Sequence, residues 1–162
     1  NTVKAKEGIK IVTCEEERWK RRDIKTTQLL AQSMAKSEAS KRRKDDCWFI
    51  ENGYITEGSS SNAFIINDNN EVVTRRLSDK ILGGITRSSL LHFCKKNNLK
   101  FREGNFTELE AKNAREAFIT SATNFVVPVI EIDGDKVGKG VVGSHVKKFQ
   151  KLYLNEIQKR LS

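Results

Sequence analysis

The sequence predicts an α+β fold: one strand-rich domain with helices packed on its sheet. Three observations lead there. Apolar runs of strand length, such as Ala117-Phe118-Ile119 and Phe125-Val126-Val127-Pro128-Val129-Ile130, recur along the chain. Two pairs of runs are joined by short polar turns, and stretches with helical spacing alternate with the later ones. At 162 residues the chain has the length of one domain and shows neither an internal repeat nor a linker.

The elements follow in order. Gly8 to Thr13, with Ile9, Ile11 and Val12, is a short strand. Ile24, Leu29, Leu30, Met34 and Ala35 begin a helix that runs into Lys41-Arg42-Arg43-Lys44, with Thr26 or Thr27 as its cap. Cys47-Trp48-Phe49-Ile50 is a buried strand, and Asn52-Gly53 turns it into Tyr54-Ile55-Thr56. Ala63–Ile66 and Glu71–Thr74 flank Asn67-Asp68-Asn69-Asn70 as a second hairpin. Gly83-Gly84-Ile85-Thr86 opens a helix from about Arg87 to Asn97, and Lys100–Glu103 is a strand. Thr107-Glu108-Leu109-Glu110 has capping-box spacing, so a helix starts there. Ala117–Thr120 and Val126–Ile130 are strands, Asp133-Gly134 is a turn, and Ser144 to Leu161 closes the chain as a helix carrying Val146, Phe149, Leu152, Leu154 and Ile157.

Composition excludes several function classes. No apolar stretch approaches the roughly 20 residues of a membrane span, and no secretory signal opens the chain. Cys14, Cys47 and Cys94 form no CxxC pair, and His92 and His145 lie far apart, so the expectation is reduced thiols in a cytoplasmic protein with no metal. The net charge of +9 raises a rival reading, a basic nucleic-acid-binding module using Arg18-Trp19-Lys20-Arg21-Arg22 and Lys41–Lys44. Glu15-Glu16-Glu17 and Asp45-Asp46 interrupt those runs, and no RNA-binding or zinc-finger pattern accompanies them. They read as solvated helix ends and faces.

Three small-polar loops follow strands and suggest a shared phosphate pocket: Gly58-Ser59-Ser60-Ser61-Asn62 behind Glu57, Gly83-Gly84-Ile85-Thr86 at a helix start, and Thr120-Ser121-Ala122-Thr123-Asn124. Arg21-Arg22-Asp23-Ile24-Lys25, Thr56-Glu57-Gly58-Ser59-Ser60-Ser61-Asn62, Gly84-Ile85-Thr86-Arg87 and Pro128-Val129 together resemble the fold type IV (class IV) pyridoxal-phosphate aminotransferases. The resemblance runs in order along nearly the whole chain. It implies that residues 1–162 form the larger, C-terminal domain of that architecture. The start at Asn1 without methionine fits a fragment lacking the smaller N-terminal domain, which in the family supplies an arginine for the phosphate and much of the carboxylate recognition.

The resemblance also implies roles. Lys25 would form the Schiff base with pyridoxal 5'-phosphate and move the substrate proton; Lys36, inside a helical stretch and followed by Glu38 and the basic cluster, reads as a surface residue. Glu57 would face the pyridine nitrogen, Leu82 would pack beside the ring, and Ile85 and Thr86 would hold the phosphate. Ser121 and Ala122 would form the remaining phosphate-side loop. Ala122 stands where the family commonly has threonine, and Phe125 where glutamate is common. The motifs look most like D-amino-acid aminotransferase, transferring an amino group from D-alanine to 2-oxoglutarate, with branched-chain L-amino-acid aminotransferase and aminodeoxychorismate lyase as alternatives. A homodimer is the expected assembly.

Overall fold

The strands found in a computed structural model, which describes residues 2–161, all join one mixed sheet. In chain order the elements are α1 (Thr2–Glu7), β1 (Ile9–Glu15), α2 (Leu30–Lys41), β2 (Asp46–Glu51), β3 (Tyr54–Gly58), β4 (Asn62–Ile66) and β5 (Val72–Thr74). There follow α3 (Ile85–Lys96), β6 (Phe101–Glu103), α4 (Glu108–Lys112), β7 (Glu116–Ser121), β8 (Phe125–Ile132), β9 (Asp135–Lys136) and α5 (Ser144–Leu161). The strand order is β3-β2-β1-β8-β7-β4-β5-β6, with β9 beside β8. β1 is parallel to β2, and β5 to β6; α2 and α3 supply the crossovers those parallel pairs need. The two hairpins are antiparallel, as expected, and Asn52 and Gly53 both take the positive φ that a tight hairpin turn demands.

Alternation along the strands divides the core. Phe64, Ile66 and Phe118 face α3 and α5, meeting Leu90, Cys94, Val146 and Phe149. The Phe64 and Phe118 rings stack with centroids 4.9 Å apart. Ala63, Ile65, Ala117 and Ile119 point the other way, into a cluster with Ile9, Ile11, Trp48, Ile55 and Phe106 around which the sheet curls. Ile55 N–H donates to the Phe106 carbonyl, tying the β3 edge to the segment after β6. Pro128 sits inside β8, opposite Phe118 on β7. Its missing N–H is tolerated because pairing with β1 begins only at Val129.

The structure corrects several expectations. α1 has no counterpart among the elements read from the sequence. Thr26 and Thr27 do not cap α2: Leu29 occupies that position with no side-chain cap, and Thr26 Oγ1 accepts instead from Gln28 N–H in the preceding loop. The apolar residues assigned to that helical pattern are mostly open; Ile24, Leu29, Leu30 and Met34 are exposed, and α2 buries only Ala39 against Val12, Cys47 and Phe49. On α5, Val146 and Phe149 are buried and Leu154 is exposed, while the Ile157 side chain lies outside the described residues. The Thr107–Glu110 capping box forms as expected. No helix among the described residues is long and apolar enough to cross a membrane.

Candidate active site

The three small-polar loops meet. The end of β3, the start of β4, the entry to α3, the end of β7 and the long loop after β1 enclose a cavity of about 630 Å³. Lys25, Glu57, Leu82, Ile85, Thr86, Ser121 and Ala122, separated by almost a hundred residues of chain, all line it. Lys36 does not.

Glu57 lies at the cavity floor, 4% exposed. Its Oε1 accepts from Arg18 Nη1 at 2.8 Å, and its Oε2 accepts from Asn62 Nδ2 at 3.1 Å and Leu82 N–H at 3.0 Å. Burial pushes the carboxyl up to about 7, against the opposing pull of the Arg18 charge and hydrogen bonds. The group therefore holds a proton far more readily than an exposed glutamate.

Sequence reasoning missed what surrounds it. The segment from Arg18 to Arg22 is solvated only at Trp19, Lys20 and Arg21, and it is not a helix face. It is loop, and the Arg18 and Arg22 side chains are 5% and 4% exposed. Arg18 lies over the Phe49 ring, 4.3 Å from its centroid, and forks onto Glu16, the middle of three consecutive glutamates. Arg22 bridges Glu16 and Glu51. The available signal was the absence of any helical apolar period in this charge run directly after a buried strand.

At the other wall, α3 starts at Ile85 behind Gly84, whose position offers no side-chain cap, so the first-turn N–H groups are free of one. Thr86 Oγ1 donates to the Ser121 carbonyl at 3.0 Å, fastening the helix start to the end of β7. A Cβ on Gly84 would come within 2.3 Å of Asn62 Oδ1, so only glycine lets these two segments approach. Arg87, which completes the Gly-Ile-Thr-Arg motif, points away into the protein and donates to the Arg75 carbonyl and Glu103. The buried hydroxyls of Ser61 and Thr120, both on the cavity, have no hydrogen-bond partner. Lys25 is exposed at the rim and Leu82 is half-buried.

The arrangement thus joins an amine, a buried proton-holding carboxyl and a helix N-terminus around one space. The family model for amino-transferase class IV matches residues 2–132. The chain belongs to this family. Among similar proteins, the D-alanine aminotransferase of Bacillus licheniformis is 38% identical over 93% of the chain and 53% of its own length. That of Staphylococcus haemolyticus is 36% identical over 96% of the chain and 55% of its own length. The class IV chain also superimposes with a TM-score of 0.85 on the T.th. branched-chain amino acid aminotransferase complexed with N-(5'-phosphopyridoxyl)-L-glutamate, at 26% identity, covering 94% of this chain and 53% of that one. It spans about half the length of the relatives it matches.

Proposed function

We propose that residues 1–162 are the cofactor-bearing domain of a pyridoxal-phosphate-dependent transaminase that moves an amino group from a D-amino acid such as D-alanine to a 2-oxo acid such as 2-oxoglutarate. The observation that carries the reading is the convergence of Lys25, Glu57 and the α3 N-terminus on one cavity. The donor set suits this cofactor. An uncapped helix N-terminus and two unpartnered hydroxyls suit a phosphate, and a buried carboxyl that readily holds a proton suits a pyridine nitrogen.

When bound, pyridoxal phosphate supplies an aldehyde that takes the amino group and a ring that accepts the electrons freed at the substrate Cα. The chain's own residues supply the rest. Lys25 Nζ removes and returns the proton at the substrate Cα. Glu57 keeps a proton available at the ring nitrogen, and Arg18 and Asn62 keep Glu57 in place. Ile85 and Thr86 bind the phosphate through backbone N–H groups at the start of α3. Leu82 would pack beside the ring, and the Ser121–Ala122 loop would close the phosphate side. Thr123, also on the cavity, offers the hydroxyl that Ala122 lacks.

D-amino-acid donors are favoured by Arg-Asp-Ile-Lys and Glu-Gly-Ser-Ser-Ser-Asn and by relatives named D-alanine aminotransferase. The branched-chain enzymes share the fold, so likeness to them does not separate the donors. A homodimer in the cytoplasm belongs to the same proposal, and the solution mass of the whole protein tests the dimer. The function is tested by titrating the whole protein with pyridoxal phosphate, reducing with borohydride and mapping the labelled peptide. Label on Lys25 and turnover of D-alanine are expected. Label on Lys36, or no label, overturns the assignment of Lys25; turnover of L-leucine alone replaces the donor.

A further inference from the structure

A second carboxylate, Glu16, organises the ground beneath Glu57, although in the sequence it is only the middle of three acids that interrupt a basic run. Its side chain is only 2% exposed. Four hydrogen bonds and an ion pair converge on it. Oε1 accepts from Arg18 Nε at 2.8 Å and from Arg18 N–H at 3.1 Å. Oε2 accepts from Arg18 Nη2 at 2.6 Å and Thr56 Oγ1 at 3.1 Å, and Arg22 Nη1 stands 3.0 Å from it as an ion pair. The Nε edge of Arg18 is therefore used entirely on Glu16, which leaves Nη1 to reach Glu57 at 2.8 Å. A guanidinium gripped along one edge has little freedom to swing.

We propose that Glu16 is a positioning residue of the site, clamping the Arg18 guanidinium against Glu57. The proposal deepens the functional reading above, since Glu57 matters to chemistry only if a cofactor nitrogen faces it. The groups that bear on Glu57 are Arg18 and Glu16 from the loop after β1, Asn62 on β4, and the Leu82 N–H before α3. Arg22 and Glu51 lie one contact further out, and Lys25 stands at the cavity rim. Of these only Arg18 brings a cation into hydrogen-bond contact with Glu57. Burial works to raise the Glu16 carboxyl as well, but its hydrogen bonds and ion pairs with Arg18 and Arg22 outweigh burial and hold it below the usual carboxylate range. Glu16 is thus an anion at neutral pH, and its grip on Arg18 persists there.

Glu16→Asp separates geometry from charge. It keeps the negative charge and withdraws it by one methylene, so Arg18 follows it away from Glu57. The readout is the titration of Glu57 in the whole, cofactor-free protein labelled with carboxyl-13C glutamate, its resonance assigned by its absence in Glu57→Gln. The expected result is a Glu57 midpoint raised by about one pH unit, equivalent to about 1.4 kcal/mol. An unmoved midpoint in folded Glu16→Asp overturns the clamp. The unmutated protein provides a second measurement: the Glu16 resonance must respond as Glu57 titrates, because one guanidinium links them. Independent titration overturns the proposal even if Glu16→Asp does not fold. Failure to take up pyridoxal phosphate overturns the functional reading alone, since both titrations are made without it.

Discussion

Replacing Glu57 by glutamine should remove a loss of stability that the cofactor-free protein suffers as pH rises from about 4.5 to about 7, and the size of that loss follows from the site. Burial moves the carboxyl from the usual 4.5 to about 7, so the folded state binds its proton more tightly than the unfolded chain does. The sign is then settled. Stability from this group is fully present below 4.5 and is lost as pH rises to about 7. At about 1.36 kcal/mol per pH unit the loss totals about 3 kcal/mol. Other carboxyls with shifted affinities, among them Glu16, Glu51 and Glu131, pull the opposite way, since each is held below its ordinary value. They are common to both proteins, so the comparison cancels most of their effect. Urea unfolding of wild type and Glu57→Gln at about pH 4.5 and about pH 8 should show the gap between them change by about 3 kcal/mol in favour of the variant at the higher pH. A gap that stays constant would refute the claim that Glu57 is a proton-holding buried group.

Further outcomes follow from other contacts. Lys25→Ala should abolish the borohydride-fixed pyridoxyl label while Lys36→Ala retains it, as read by peptide mass mapping. Gly84→Ala drives a methyl into Asn62 Oδ1 and should cost about 1–3 kcal/mol together with cofactor affinity, measured by thermal unfolding and absorbance titration. Glu116 on β7 accepts from the His145 and Val146 N–H groups and so caps α5 from outside the helix. Glu116→Gln can satisfy only one of them and should lower stability by about 0.5–2 kcal/mol in a denaturant titration, with cofactor uptake unchanged.

Much of the fold was legible because its signals are local. The Asn52-Gly53 turn, the Thr107–Glu110 box and the apolar runs state backbone preferences within a few residues, and those preferences survived folding. The helical pattern after Ile24 misleads for the converse reason. Apolar spacing shows that a face exists, not what covers it, and four of its residues are exposed. The site divides the same way. The loops holding Ile85, Thr86, Ser121 and Ala122, and the one behind Glu57, stand apart from the strands around them, whereas Lys25 and Leu82, and the role of each residue, came only from the resemblance to the family. Glu16, Arg18 and Arg22 could not, because a charge looks alike in solvent and in a core until its partner is known. Arg18 finds Glu57 across 39 residues of sequence, and the pairing order β3-β2-β1 is what brings β3 near the loop that follows β1. Residue order alone thus specifies most of the elements, the family and the small-residue loops. Folding in three dimensions decides which of the many charges are buried and paired, since burial and pairing are properties of distant neighbours.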